Sequence, residues 1–116
     1  NNGLLLEDGV AAKTASGSGT GRQFVGGVAS GKSLYAIIHL IAFSGAASLD
    51  VIIQSDDGAG FISPVTRVTF TNLTAIGSQY VVPIAGPLAD DWYRCNFTFV
   101  TPTTPSAKLV VAMGIK

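Results

Sequence analysis

The 116-residue chain has few charged residues, one histidine and one cysteine. Lysine, arginine, aspartate and glutamate make up 12% of it, about half the share usual in a soluble domain. The formal net charge is zero, so the sequence lacks the basic stripe with which nucleic-acid-binding proteins neutralise phosphates. A lone cysteine, Cys95, cannot form an internal disulfide. We therefore expect neither nucleic-acid binding nor a disulfide-stabilised fold.

Long apolar runs are also missing. The longest covers residues 34–43, is interrupted by His39, and has about half the length that crosses a bilayer. We expect no membrane contact. Apolar residues nevertheless make up 47% of the chain, too many for the few charges to cover. Part of the apolar surface is therefore expected to face another subunit.

From Ser33 onward, strand patterns follow one another between turns rich in Gly, Pro, Asp and Ser. Residues 34–43 are apolar on both alternating faces, as in a strand covered on both sides, although this run is also compatible with a buried helix. Apolar and polar residues then alternate in 49–54, 66–71 and 92–100, and Leu109, Val111, Met113 and Ile115 close the series. Another inward-facing set is expected at Tyr80, Val82 and Ile84. Residues 32–116 thus predict an all-β fold, a single β-sandwich or jelly-roll.

Residues 1–31 differ in composition from the rest of the chain. Gly, Ser, Ala and Thr dominate, with the repeat Ser16-Gly17-Ser18-Gly19-Thr20-Gly21 at the centre. Such composition is typical of flexible segments. We predict a flexible N-terminal arm over 1–31, anchored by Leu4-Leu5-Leu6 and containing a possible first strand at 22–28.

The segment Gly26-Gly27-Val28-Ala29-Ser30-Gly31-Lys32-Ser33 matches the phosphate-binding pattern G-x-x-x-x-G-K-[ST]. That loop works between a strand and a helix whose N-terminus faces the phosphates. Here the following residues are rich in β-branched and aromatic types, and no alternation of strands with helices follows. We interpret the motif as a glycine hinge with a surface lysine and expect no cofactor.

The other side chains that could take part in catalysis or metal binding lack the partner residues that such chemistry needs. Asp50, Asp56 and Asp57 do not have EF-hand spacing, and the last two suit a turn, so we expect no metal. His39 stands alone and is interpreted as a buried or interface histidine. Cys95 lies in a strand pattern as a small core residue. We predict no catalytic residue.

Aromatic residues suggest one alternative function. Trp92, Tyr80 and Tyr93 could form a platform on which sugar rings stack. A carbohydrate-binding β-sandwich module is therefore kept as a hypothesis from a different class.

A set of short motifs extends over the last two-thirds of the chain. They are Ser33-Leu34-Tyr35-Ala36, Ser48 to Asp57, Gly60-Phe61, Arg67-Val68-Thr69-Phe70, Gly77-Ser78-Gln79, Ala85-Gly86-Pro87, Asp91-Trp92-Tyr93-Arg94 and Gly114-Ile115. Through them the chain resembles small structural proteins of tailed bacteriophage virions. The resemblance implies a β-sandwich that decorates or cements the capsid, commonly as a trimer, in a virion assembled in the bacterial cytoplasm. A tail-tube or tail-fibre subunit is the alternative.

The expected partners are copies of the chain itself and a major capsid protein or other virion protein. Binding would proceed by shape and apolar burial, without catalysis. The candidate interface residues come from the start of the chain, the long apolar run and the aromatic strand: Leu4, Leu5, Leu6, Tyr35, Ile37, His39, Ile41 and Trp92.

Overall fold

A computed structural model describes residues 3–116, and within that range the secondary structure consists of β-strands without any α-helix. The strands are β1 (Gly3–Asp8), β2 (Gly17–Ser18), β3 (Arg22–Gln23), β4 (Ser33–Ser44), β5 (Ser48–Asp56), β6 (Val65–Thr69), β7 (Gly77–Tyr80), β8 (Ile84–Ala85), β9 (Trp92–Val100) and β10 (Ser106–Ile115). The predicted all-β fold is confirmed. The helical alternative for 34–43 is wrong, because β4 pairs with β10 along its length.

Two antiparallel sheets, each of five strands among the described residues, enclose the core. Sheet A has the order β1-β10-β4-β7, with β8 also paired to β4. Sheet B has the order β2-β9-β5-β6, with β3 also paired to β9. The longest ladders are β10–β4 in sheet A and β5–β9 in sheet B. The result is a sandwich-like arrangement, as the alternating patterns predict.

The core lies between the sheets and is filled by every second residue of the central strands. On the two longest ladders, the buried members include Leu34, Ala36, Ile38 and Leu40 of β4 and Tyr93, Cys95, Phe97 and Phe99 of β9. Because side chains of a strand point alternately to its two faces, the residues between them point outward. Burial of one large apolar side chain contributes about 1.5–3 kcal/mol to folding.

Residues 3–31 lie along the edges of both sheets, which differs from the predicted arm. β1 pairs with β10, and further along the chain Lys13 pairs with Ala107. The chain then crosses to sheet B, where β2 and β3 pair with β9. Leu6 and Val28 belong to the same core as the later strands. The division predicted at residue 31 therefore does not separate two packing units.

Two glycines of the Ser-Gly repeat at residues 16–21, Gly19 and Gly21, occupy positions without room for a side chain. A Cβ on Gly19 would collide with Glu7 Oε2. A Cβ on Gly21 would lie 2.6 Å from Cε1 of Phe61. Close packing explains these glycines, whereas composition alone suggested a flexible linker.

The prediction of an inward-facing set at Tyr80, Val82 and Ile84 is wrong for its first two members. Tyr80 pairs with Ile37, an outward-facing residue of β4, and is itself 82% exposed. Val82 is 84% exposed, whereas Ile84 packs against the core. The short β7 follows the register of β4, so its pairing and not its own pattern decides which way Tyr80 faces.

Candidate functional site

One row of apolar side chains crosses the outer side of sheet A. Leu5 of β1 pairs with Ala112 of β10, Ala112 pairs with Ile37 of β4, and Ile37 pairs with Tyr80 of β7. Residues in direct register lie on the same face of a sheet. The row therefore spans all four strands of the sheet A path.

The row on one side is apolar as well, whereas the row on the other side combines Val110 with the polar residues Asp8, His39 and Ser78. Tyr35 pairs with Gly114, and on the other side His39 pairs with Val110. Ile41 lies where the β4–β10 register shifts, and it is 52% exposed. We call the whole set the apolar face: Leu5, Tyr35, Ile37, His39, Ile41, Tyr80, Val110, Ala112 and Gly114.

The apolar face is uncovered in the isolated chain. Leu5 and Tyr35 are 49% and 44% exposed, and Tyr80 is exposed almost completely. Among the strand residues that share this side of sheet A, the charged ones are Asp8, on the edge strand β1 in register with Val110, and Lys108, toward one end of β10. Large contiguous apolar patches are rare on monomeric soluble proteins and mark interaction sites.

A shallow depression of about 280 Å³ lies at the opposite end of the apolar face. Tyr35 and Tyr80 line it together with the small residues Ala112 and Gly114. Large side chains thus lie beside a recess formed by small ones. A protein surface of complementary shape can pack against such a surface.

His39 shares a hydrogen bond of 2.6 Å between its Nδ1 and Oγ of Ser78, its register partner on β7. A serine–histidine pair starts a nucleophilic site only when an acid orients the other ring nitrogen. Within residues 3–116 no carboxylate is hydrogen-bonded to His39. The pair therefore holds the ring on the apolar face.

The outer side of sheet B is polar. Arg94 Nε donates a hydrogen bond of 2.9 Å to Oε1 of Gln54 across the β5–β9 ladder. At the other end, Asn72 Nδ2 donates to Oδ1 of Asp50 at 2.6 Å. Ile52 lies on this side with Asn96 and Thr69 as its register partners. The two outer sides of the sandwich thus differ sharply in chemistry.

The structure brings together five of the eight predicted interface residues on the apolar face: Leu5, Tyr35, Ile37, His39 and Ile41. Leu6 was predicted at an interface, but it is 4% exposed, because a register shift between Leu5 and Glu7 turns it into the core. Leu4 is half-buried against the core. Trp92 lies on sheet B, between Asp56 and Gln23.

Sequence reasoning missed four parts of the apolar face: Tyr80, Val110, Ala112 and Gly114. A signal for three of them exists in β10, where Val110, Ala112 and Gly114 alternate with core residues and none is polar. An amphipathic strand would carry polar residues at these positions. Tyr80 offered no comparable signal, because its direction follows from pairing with β4.

A second, polar cleft of about 600 Å³ lies between β1 and residues 18–22. At its wall, Glu7 is 8% exposed and its Oε1 lies 2.8 Å from Nζ of Lys13. The Lys13 ammonium also lies 5.3 Å from the centre of the Phe97 ring. Oε2 of Glu7 is buried under Gly19 and has no hydrogen-bond partner among the described residues. This cluster joins the sheet edges.

The phosphate-loop motif leads into β4 and not into a helix. Val28, in the middle of the motif, exchanges backbone hydrogen bonds with Leu88. The loop therefore lacks the helix N-terminus on which phosphate binding depends. This geometry does not favour a nucleotide site.

The predicted turn at Asp56 and Asp57 is formed by a carboxylate that binds backbone amides. Oδ1 of Asp56 accepts a hydrogen bond from the N–H of Asp57 at 2.7 Å, and Oδ2 accepts one from the N–H of Ser63 at 2.9 Å. The Ser63 bond lowers the pKa of Asp56, and the Asp56 carboxylate raises the pKa of Asp57. Residues 3–116 hold no group of three or more potential metal-ligating side chains.

The three aromatics of the sugar-platform hypothesis do not lie together. Tyr93 is fully buried in the core, whereas Trp92 is on sheet B and Tyr80 is on sheet A. The predicted platform is therefore wrong, because β9 alternation and the β4–β7 register direct the rings to three places.

Comparison with protein-family models, with curated proteins and with solved structures finds no match to this chain. In the described part of the chain, no helix has the length and apolarity needed to span a membrane.

Proposed function

We propose that the protein is a non-enzymatic structural subunit of a bacteriophage virion, a decoration protein that cements the capsid shell. The observation that carries the proposal is the apolar face, which combines exposed Leu5, Tyr35, Ile41 and Tyr80 on one side of the molecule. Covering such a surface stabilises an assembly by roughly 25 cal/mol for each Å² of apolar area removed from water.

The sequence of β4 supports the same conclusion. Its residues are apolar on both faces, as in strands covered on both sides. Within the chain, the core covers Leu34, Ile38 and Leu40, while Tyr35 and Ile41 remain exposed. A partner on the outer side would complete the covering for which the strand pattern is suited.

The polar groups support a structural role, because their contacts are internal. Burial raises the pKa of the Cys95 thiol to about 12, so the nucleophilic thiolate is suppressed at neutral pH. Arg67 donates hydrogen bonds to Ser55 and Asp90. His39 binds Ser78. These groups hold strands and loops in place.

The virion location follows from the resemblance of residues 33–115 to phage structural proteins. In this setting the partners are further copies of the chain and the major capsid protein. A tail-tube or tail-fibre subunit would use the same kind of surface in another part of the particle.

Co-sedimentation with particles tests the proposal. The purified protein is mixed with assembled capsid shells and, separately, with tail tubes of the phage that encodes it, and the copies bound per particle are counted on gels. We expect saturable binding to shells. Binding to tail tubes alone would move the protein to the tail, and binding to neither would overturn the virion role.

A further inference from the structure

We propose that the apolar face is covered by the same face of a second copy, in a dimer with two-fold symmetry. This inference rests on the proposed function, since it names the partner of the surface that carries that function. In such a dimer the two A sheets stack as the layers of a β-sandwich do, about 10 Å apart.

The area of the outer side of sheet A is close to the lower limit for a specific interface. The four strands along the sheet A path, β1, β10, β4 and β7, have 6, 10, 12 and 4 residues. At about 3.3 Å per residue and about 4.8 Å between strands, this outer side covers on the order of 500 Å². Stacking it against a second copy would bury roughly 1,000 Å² in all, about the least that a specific interface requires.

The face is also complementary to itself. It carries protruding Tyr80 and, in the same region, the recess that includes Ala112 and Gly114. In a dimer with a two-fold axis, each contact between two different residues occurs twice. A protruding side chain of each copy can therefore fill the recess of the other. Tyrosine suits this position, because its ring buries a large apolar area while its hydroxyl reaches the rim.

The charges on this side of sheet A permit the stacking. Asp8 and Lys108 have opposite signs; Asp8 lies on the edge strand β1 and Lys108 toward one end of β10, so both can stay at the rim of the dimer. The centre holds Ile37 and Ala112, and beside them the polar groups of His39 and Ser78 share a hydrogen bond between Nδ1 and Oγ. A central patch depleted of charge with a polar rim is the usual composition of a protein interface.

The unlike outer sides of the sandwich leave the rest of the dimer polar. Stacking through sheet A directs both B sheets outward, with Arg94, Gln54 and Asp50 toward solvent or toward the shell. A trimer, which the resemblance implies, would instead set the apolar face of each copy against a different surface of its neighbour, because contacts about a three-fold axis are heterologous.

Matched substitutions on the two outer sides test the dimer. Ile37→Asp places a carboxylate in the middle of the apolar face, and Ile52→Asp makes the same change on a central strand of sheet B. Both positions are half-buried and point outward. Light scattering and sedimentation equilibrium measure the mass across micromolar concentrations, and circular dichroism checks the fold.

We expect the wild type and Ile52→Asp to have twice the chain mass of 11.9 kDa. Ile37→Asp should weaken the dimer about a hundredfold or more, because burial of an unpaired carboxylate costs several kcal/mol. Tyr80→Ala, at an exposed position that does not endanger folding, should weaken it about tenfold or more.

Three results would overturn the dimer: a wild-type monomer at all concentrations, a wild-type trimer, or a dimer that tolerates both Ile37→Asp and Tyr80→Ala. The proposed function fails separately, through the absence of binding to particles. A monomer whose shell binding is lost in Ile37→Asp but kept in Ile52→Asp would assign the face to the shell protein.

Discussion

Nζ of Lys13 lies 2.8 Å from Oε1 of Glu7 and thereby links the segment that crosses between the sheets to β1 at the edge of sheet A. The carboxylate is almost fully buried, whereas 27% of the Lys13 side chain remains exposed. The pair is therefore only partly shielded from water, and its two members are not equivalent in the cost of their removal.

Removal of the cation alone should destabilise the fold. In Lys13→Met the Glu7 carboxylate stays buried without its partner, and we expect a loss of about 2–3 kcal/mol, below the range for fully buried pairs because Lys13 is partly exposed. Urea denaturation measures the loss. The double variant Glu7→Leu, Lys13→Met should recover most of it, and the exposed control Lys108→Met should change little. Equal losses in the single and double variants would contradict this account.

Gly19 should tolerate no side chain. A Cβ at this position collides with Oε2 of Glu7, and that carboxylate cannot move freely while Lys13 holds it. We expect Gly19→Ala to lose about 1–3 kcal/mol of unfolding free energy, as in other overpacked sites. Gly58→Ala is the matched control, because no atom lies within 4 Å of its added Cβ. If the two variants are equally stable, residues 16–21 pack more loosely than the structure indicates.

Cys95 should be inert to thiol reagents in the folded protein. Its side chain is fully buried, and burial raises the pKa of the thiol from its ordinary value of 9.0 to about 12. Alkylation at pH 8 should therefore proceed only as fast as unfolding exposes the sulfur. Mass spectrometry follows the reaction with and without urea. Rapid labelling of the native protein would show that the core around Cys95 opens locally.

The same shift in pKa determines how alkali affects stability. Burial raises the pKa of Cys95 in the folded state. The stability that the buried, protonated thiol contributes is therefore fully present below about pH 9 and is lost as pH rises toward 12. Stability of Cys95→Ala should consequently fall less than that of the wild type over this window, in parallel urea titrations at each pH.

Asp57→Asn should stabilise the protein at neutral pH. The Asp56 carboxylate raises the pKa of Asp57, so ionised Asp57 costs stability above its folded pKa, and this cost disappears below its ordinary value of 3.8. The melting temperature of the variant should exceed that of the wild type slightly at pH 7, and the two should converge near pH 3. A constant difference at all pH values would exclude the charge interaction as its cause.

The central strands could be predicted from sequence because their patterns and their pairing agree. In 92–100 the alternation of Tyr93, Cys95, Phe97 and Phe99 with polar residues matches the buried and outward sides of β9. In 34–43 the outer positions are mostly apolar as well, and four of the predicted interface residues lie at these positions: Tyr35, Ile37, His39 and Ile41.

Edges were harder to predict, because an edge strand derives its position from its neighbours. The repeat at 16–21 has the composition of a linker, and only the positions of Glu7 and Phe61 explain Gly19 and Gly21. Tyr80 faces outward because it is in register with Ile37. Leu6 faces inward because the β1–β10 register shifts beside it. Such long-range relations leave no periodic signal in a single sequence.

The contrast between the two outer sides of the sandwich also limits how far assembly can grow. A molecule that is apolar on one outer side and polar on the other can add only one layer by stacking. Stacking through sheet A would bury the apolar face and leave Arg94, Gln54 and Asp50 on the outside. If the apolar face is covered as we propose, growth by face-to-face stacking would stop at a closed pair or at a coat one layer thick and would not extend into a fibre.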